Sequence, residues 1–177
     1  MNPSRTLCVM GTFDPQAADN IKAIGRLLQA RGFVPDAYEP HITFGIYTGL
    51  READLLDWVA PLAQKNDPVG LYFDHFGSFP GASICFLAPS ASAALIALHA
   101  RIHQKFDHCC TDKGCLYSLG EKSWTPHTTL ASFEPEQIGT LYSVLSERFS
   151  PFPASVTRLV VTATEPDEVL GTFALRA

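Results

Sequence analysis

The stretch EPHITFGIY, residues 39–47, combines strand-forming residues with an imidazole and a hydroxyl two positions apart. At its centre, in the tetrapeptide HITF, His41 and Thr43 alternate with two apolar residues. Side chains at positions i and i+2 of a β-strand lie on the same face. The pattern therefore predicts a strand that presents His41 and Thr43 together and buries the two apolar side chains that alternate with them.

A near copy of this stretch, TPHTTLASF, occupies residues 125–133. It contains His127 and Thr129 in the same spacing, and His127 lies 86 residues after His41. In both copies a proline precedes the histidine and an apolar residue follows the threonine. One histidine–threonine pair on a strand is a weak signal, because both residues are common. Its recurrence in the same setting indicates two halves of one site.

The order of the predicted elements also repeats. The periodicity of apolar residues predicts strand 6–13, helix 15–31, strand 37–47 with His41, helix 50–64 and strand 68–79. It then predicts strand 82–90, helix 91–106, a strand with His127, helix 134–149 and strand 153–164. Pro61 is expected to kink or end its helix. Residues 6–79 and 82–164 thus form two repeats, and a terminal strand over 168–176 follows.

These repeats predict an α+β fold within a single domain that spans residues 1–177. We expect a bilobal duplicated unit in which antiparallel sheets line a central groove and the helices lie on the outside. Pseudo-two-fold symmetry would bring the two equivalent histidine strands together at that groove.

Composition limits the classes of partner. The net charge is −5, so a broad cationic face for long duplex nucleic acid is not expected. No apolar run is long enough to span a membrane, and the first residues do not resemble a signal peptide. The five cysteines are odd in number, which favours reduced thiols. We therefore expect a cytoplasmic protein that does not bind membranes.

A cluster of potential metal ligands, HCCTDKGC, occupies residues 108–115. Its adjacent cysteines point in different directions in most conformations, and it lacks the separated cysteine pairs of a structural zinc site. We expect ordinary thiols there, and a metalloprotein is the less favoured interpretation. His99 and His103 stand four residues apart on a predicted helix. A solvated helix face is expected for them rather than a shared metal ion.

An imidazole beside a hydroxyl suits phosphate chemistry. The hydroxyl can donate a hydrogen bond to a phosphoryl oxygen, and the histidine can give or take a proton near neutral pH. Two such pairs that face each other could hold one phosphate from both sides, with one histidine as base and the other as acid. Such a site needs no metal, and its activity is expected to follow a bell-shaped pH profile.

With HITF and HTTL about 86 residues apart in a duplicated α+β chain, the sequence resembles the two-histidine (2H) phosphoesterase superfamily. Within it, the chain is most similar to the 2′-5′ RNA ligase and cyclic phosphodiesterase group, whose motif is His-x-Ser/Thr followed by an apolar residue. The resemblance implies that His41 and His127 are catalytic and that Thr43 and Thr129 bind the phosphate. It implies hydrolysis or transfer at a 2′,3′-cyclic phosphate or a 2′-5′ linkage of a small nucleotide or RNA end, without a cofactor.

Further residues are candidates for lining the groove: Tyr47, Tyr117, Lys122 and Trp124. The last three lie in the long polar segment 107–125, where a lid or substrate loop could sit directly before the second motif. An ordinary surface loop with Trp124 packed in the core is the alternative there, and packing in the core is at least as well supported for Tyr47. A second interpretation remains open, in which the same groove binds a nucleotide without turnover. The sequence indicates neither the role of each histidine nor the oligomeric state.

Overall fold

The computed structural model describes residues 5–79, 81–90, 92–120 and 124–176. Eight β-strands and four α-helices form within these residues. The strands are β1 Leu7–Phe13, β2 Val34–Pro35, β3 His41–Tyr47, β4 Val69–Ser78, β5 Ile84–Pro89, β6 Thr128–Ser132, β7 Phe152–Ala163 and β8 Glu168–Ala174. The helices are α1 Pro15–Gln29, α2 Glu52–Gln64, α3 Ala93–His103 and α4 Ile138–Arg148.

The described strands form a single antiparallel sheet. Its order is β2-β6-β5-β4-β7-β1-β3, and β8 pairs with β7. Every pairing is antiparallel, so the predicted α+β class with antiparallel strands is confirmed. The sheet joins both repeats, and β3 from one end of the order contacts β6 near the other end.

The strand order has the predicted pseudo-two-fold symmetry. The first repeat supplies β1, β3 and β4, and the second supplies β5, β6 and β7 in equivalent positions. The central pair is β4 with β7, where Leu71 lies opposite Ala154. Each repeat also gives its last strand to the other, because β7 pairs with β1 and β4 pairs with β5. Both lobes are therefore built from both repeats.

Two helices also pack against strands of the other repeat. Helix α1 of the first repeat packs against β6, and helix α3 of the second packs against β3. Asp14 caps helix α1 directly before its first residue, and its Oδ1 accepts the Ala17 N–H at 3.0 Å. A positive φ at Gly32 follows the end of the helix. Each motif strand is consequently supported from behind by a helix of the other repeat.

Three details differ from the sequence prediction. Helix α2 continues to Gln64, so the predicted end of the helix at Pro61 is wrong. Because Pro61 lies in the last turn, it removes only the main-chain hydrogen bond to the Asp57 carbonyl. The short strand β2 was not predicted, and α4 is preceded by a 3-10 turn, Pro135–Gln137.

No helix in the described part of the chain is both long and apolar enough to cross a membrane.

Candidate active site

Strand β3 presents its side chains as its sequence predicts. His41 and Thr43 are partly exposed, while Ile42 and Phe44, which alternate with them, have no exposed surface. In the second motif Thr129 is likewise partly exposed, and its neighbours Thr128 and Leu130 are 1% and 3% exposed. His127 lies one residue before β6 begins. The two histidine–threonine pairs therefore share the same pattern of exposure.

A β-bulge occurs at the same place in both motifs. The pairing of β1 with β3 passes from Val9–Gly45 to Met10–Thr43 and omits Phe44. The pairing of β5 with β6 passes from Cys85–Ala131 to Phe86–Thr129 and omits Leu130. The extra residue is in each case the apolar fourth residue of the tetrapeptide. Bulges redirect neighbouring side chains and are enriched beside active sites, so the apolar fourth position shapes the site from behind.

The two histidines are also held in the same way. The Nδ1 of His41 lies 2.8 Å from the main-chain oxygen of Glu39, and the Nδ1 of His127 lies 2.8 Å from that of Thr125. A carbonyl oxygen only accepts, so Nδ1 carries the proton in both rings. Nε2 is thereby the free nitrogen of each ring. In the neutral ring it can accept a proton, and in the charged ring it can donate one.

His127 has the more apolar surroundings. Its ring centroid lies 5.0 Å from that of Phe79 and 5.2 Å from that of Phe86. Burial lowers the pKa of His127, the carbonyl of Thr125 acts in the opposite direction, and the charge of His41 lowers it further. Burial and the charge of His41 thus both favour the neutral form of the His127 ring.

A cavity of about 330 Å³ opens beside His127, and its walls are mostly aromatic and aliphatic. Two of the predicted lining residues, Tyr117 and Trp124, lie in its wall. Lys122 lies outside the described residues. Tyr47 does not line this cavity: it has no exposed surface, and it packs against His103 with ring centroids 5.6 Å apart. Tyr47 ends β3 on its buried face, so it belongs to the core.

Trp124 connects the second motif to the first. Its indole N–H donates to the main-chain oxygen of Thr43 at 3.1 Å, and its ring stacks on His99 at 3.8 Å. The next carbonyl along β3, that of the bulged Phe44, accepts from Nε2 of His103 at 2.7 Å. The expectation of a solvated helix face for His99 and His103 is wrong, since they are 5% and 0% exposed. They lie behind β3 because α3 packs on that strand.

The equivalent carbonyl in the second motif has a different partner. The main-chain oxygen of Leu130 accepts from the N–H of Asp36 at 3.0 Å. Gly25 of α1 lies over the same carbonyl, in the place that corresponds to the histidine-bearing turn of α3. Both bulge carbonyls are therefore bonded, as buried main-chain groups require, although by unrelated donors.

Comparison with known proteins identifies the family of the chain and the solved structures that share its fold. Residues 13–168 match the family model of the 2′-5′ RNA ligase superfamily. The chain belongs to this superfamily. Its fold is similar to that of TT0787 from Thermus thermophilus, with a TM-score of 0.68 and 17% identity over 97% of this chain and 98% of the other. No curated protein matches the chain by sequence.

Two more solved structures share the superfamily fold. The crystal structure of a phosphoesterase has a TM-score of 0.64 at 17% identity, and the match covers 99% of this chain and 100% of the other. E. coli LigT in complex with 3′-AMP has a TM-score of 0.59 at 16% identity, with both chains covered in full. Other LigT structures are complexes with NADP+, phosphate and ATP.

A second cavity, of about 340 Å³, lies beside His41 in this member of the superfamily. Thr12, Tyr38 and Arg158 are in its wall. Sequence reasoning missed Arg158 and also Phe86, which contacts His127. Both residues come from distant parts of the chain, and only the strand order brings them to the motifs. Thr129 lines a smaller cavity with Tyr38, close to the start of β3.

The potential metal ligands of residues 108–115 do not form one group among the described side chains. Cys110 lies near His103 and Asp107, and the ligand atoms of these three residues are within 4.8 Å of one another. Nδ1 of His103 is 2.9 Å from Asp107 Oδ1 and 3.6 Å from the Cys110 sulfur. Burial raises the pKa of the Cys110 thiol to about 12. This trio, rather than the consecutive sequence cluster, is the set of described side chains that a metal ion could join.

Proposed function

We propose that the chain is a phosphoesterase that uses His41 and His127 as acid and base on a 2′,3′-cyclic phosphate or a 2′-5′ phosphodiester. The observation that carries this proposal is the mirrored hydrogen bond from each Nδ1 to the carbonyl two residues earlier. It gives both rings the same free nitrogen, in a chain that belongs to the 2′-5′ RNA ligase superfamily.

Hydrolysis of a cyclic phosphate proceeds with two proton transfers. One histidine removes a proton from water as the water oxygen bonds to phosphorus. The bond from phosphorus to the 2′ or the 3′ oxygen of the ribose then breaks, and the other histidine protonates that oxygen. The product is a phosphomonoester with a free neighbouring hydroxyl. Formation of a 2′-5′ linkage follows the same path with a ribose hydroxyl in place of water.

The surroundings of the histidines favour one assignment of roles. Burial lowers the pKa of His127, which favours the neutral ring that a base requires. We therefore assign hydrolytic base catalysis to His127 and the acid role to His41. Thr43 and Thr129 stand two residues beyond the histidines and are partly exposed, so their hydroxyls are proposed to donate to the phosphoryl oxygens as charge develops there.

The ligands of the structural relatives support a small nucleotide as the bound group. LigT structures contain 3′-AMP, ATP and NADP+, each of which carries at least one phosphate on a nucleoside. The aromatic wall beside His127 offers Tyr117 and Trp124 as surfaces on which a base can stack. An RNA end presents the same chemical groups and is included in the proposal.

The test is turnover of 2′,3′-cyclic nucleotides by purified protein. His41→Ala and His127→Ala are each expected to lower kcat/KM by roughly 10²–10⁴-fold. His75→Ala is the matched control, because His75 is an exposed histidine that bonds to Asp74 at 2.6 Å and lines neither cavity. Full activity in both motif variants would refute the proposal. Loss of activity with EDTA would refute its metal-free mechanism.

The rival interpretation is a nucleotide-binding module without turnover. It shares the groove and the histidines, and it predicts tight binding of 2′,3′-cyclic AMP with no monophosphate product. Detection of the product by chromatography therefore separates the two. Both histidines and both threonines of the motifs are present. Two proton-transferring imidazoles are needed for turnover but not for binding alone, so they favour the enzyme.

The thiols favour action in a reducing compartment. All five cysteines are free in the structure. Such a set is typical of the cytoplasm, where disulfides are rare. We therefore propose that the enzyme acts there, on nucleotides or RNA ends.

A further inference from the structure

The sheet face that presents His41 continues across its neighbouring strands. His41 on β3 lies opposite Thr12 on β1, and Thr12 lies opposite Arg158 on β7. Residues directly opposite each other in antiparallel strands point to the same face and have Cα atoms roughly 4.5–5.5 Å apart. The three side chains thus form a row, and the Cα atoms at its ends are separated by about 10 Å.

This row forms part of the wall of the cavity beside His41. Alternate residues of β1, β7 and β8 contribute three hydroxyls to that wall, from Thr12, Thr162 and Thr172. A guanidinium and hydroxyl groups are hydrogen-bond donors that match the oxygens of a phosphate. The wall also contains apolar side chains, so a nucleoside attached to such a phosphate would find contacts there.

Arg158 is available to a ligand. Within the described residues its side chain makes no ion pair and no hydrogen bond. Glu39, the acidic residue in the same wall, is already paired with Lys22 at 2.7 Å. An exposed guanidinium without an anionic partner among these residues therefore stands two strands away from a proposed catalytic histidine, in a chain with a net charge of −5.

The cavity beside His127 has a different character. Phe79, Ile84, Leu116 and Trp124 dominate its wall, and none of the described residues that line it is a lysine or an arginine. The two cavities share no lining residue in the described part of the chain. One side of the histidine pair therefore suits an uncharged base, and the other side suits an anionic group.

We propose that the cavity beside His41 is a subsite for a second phosphate of the substrate and that Arg158 determines specificity for it. This rests on the proposed function, which positions the reacting phosphate between His41 and His127. A substrate with one phosphate leaves Arg158 without a partner. The substrate class is therefore an oligonucleotide end, with a further phosphate one nucleotide away from the reacting one.

The experiment compares 2′-5′-linked diadenosine monophosphate with the same molecule phosphorylated at its 5′ end or at its 3′ end. One of the two terminal phosphates is expected to raise kcat/KM of the wild-type protein about tenfold, the effect of one phosphate–arginine contact at an exposed site. Arg158→Ala is expected to abolish that ratio. Arg158→Lys should retain part of it, because lysine keeps the charge but loses the planar fork.

Arg148→Ala is the matched control, since Arg148 is an exposed arginine in α4 that lines neither cavity. It should keep the wild-type ratio. A wild-type protein that cleaves the dinucleotide but gains from neither terminal phosphate would overturn the subsite. A ratio unchanged in Arg158→Ala, or lost equally in Arg148→Ala, would also overturn it. Absence of turnover of every substrate, cyclic nucleotides included, would instead contradict the proposed function.

Discussion

Trp124, three residues before His127, donates its indole N–H to the main-chain oxygen of Thr43, two residues after His41. One hydrogen bond of 3.1 Å thus joins the segment that leads into the second motif to the strand that contains the first. The same indole ring forms part of the cavity wall beside His127. This side chain therefore helps to fix the relative position of the two motifs.

Trp124→Phe is expected to lower kcat/KM severalfold and to destabilise the protein by about 1 kcal/mol, because the Thr43 carbonyl loses a donor. Trp58→Phe provides a matched control. The Trp58 indole also donates to a carbonyl, that of Ile102 at 2.9 Å, but it lies away from both motif cavities. Both variants should lose similar stability in urea unfolding, while only Trp124→Phe loses activity. Equal activities would contradict a role for Trp124 in aligning the motifs.

The titration of His127 offers a second prediction. Burial is the main cause of its lowered pKa, and the charge of His41 adds to it. Phe79→Ala opens the aromatic surroundings of the ring, so the pKa of His127 should rise toward its ordinary value of about 6.5. His41→Gln should raise it by less. NMR titration of the His127 ring measures both shifts, and a fall in either variant would contradict this account.

The buried His99 predicts how stability depends on pH. Burial, followed by the charge of His103, lowers its pKa to about 4 in the folded protein, against about 6.5 in an unfolded chain. Between these values the unfolded state binds more protons, so stability falls as the pH falls. From about pH 7.5 to about pH 5 the loss due to His99 is about 2 kcal/mol.

His99→Gln tests this prediction, because glutamine retains a donor for the Tyr117 carbonyl that Nε2 of His99 contacts at 2.9 Å. Its free energy of unfolding should decrease less than that of the wild type over the same pH range. His75→Gln removes an exposed histidine and should behave as the wild type does. Parallel pH dependence in all three proteins would count against the assignment to His99.

Tyr47 supplies a prediction about the core. Its hydroxyl is buried and has no hydrogen-bond partner among the described residues. Tyr47→Phe removes an unsatisfied polar group, so it should leave activity unchanged and stabilise the protein by about 1 kcal/mol. In a chain of this size that raises Tm by about 2–4 °C. Tyr142→Phe, at a partly exposed tyrosine, should change Tm little, and a lower Tm for Tyr47→Phe would show that its hydroxyl has a partner.

The alternation of side chains in the two motifs was predictable because it follows from strand geometry alone. His41 and Thr43 share a face whatever the strand pairs with, and the repeat of the pattern indicated a second half of the site. The burial of His99 and His103 was not predictable in this way. Four-residue spacing defines a helix face but not what covers it, and here the covering element is β3 from the other repeat.

Arg158 shows the same limit more clearly. It lies 117 positions after His41, in a predicted strand with no motif of its own. Its place in the row depends on β1 lying between β3 and β7. Long-range pairing of this kind is a property of the whole sheet, so local periodicity contains no information about it. The prediction for Tyr47 was wrong for the related reason that residues after a bulge do not keep the facing of the residues before it.

The exchange of last strands between the repeats has a consequence for the history of the site. Neither repeat has a complete sheet alone, since β1 requires β7 and β5 requires β4. A half-length ancestor would have needed a second copy of itself, and its two motifs would have been identical by symmetry. In a single polypeptide that contains both repeats, this constraint does not apply. His103 behind one bulge, Asp36 behind the other, and unlike walls around the two histidines are the divergence that a fused pair permits.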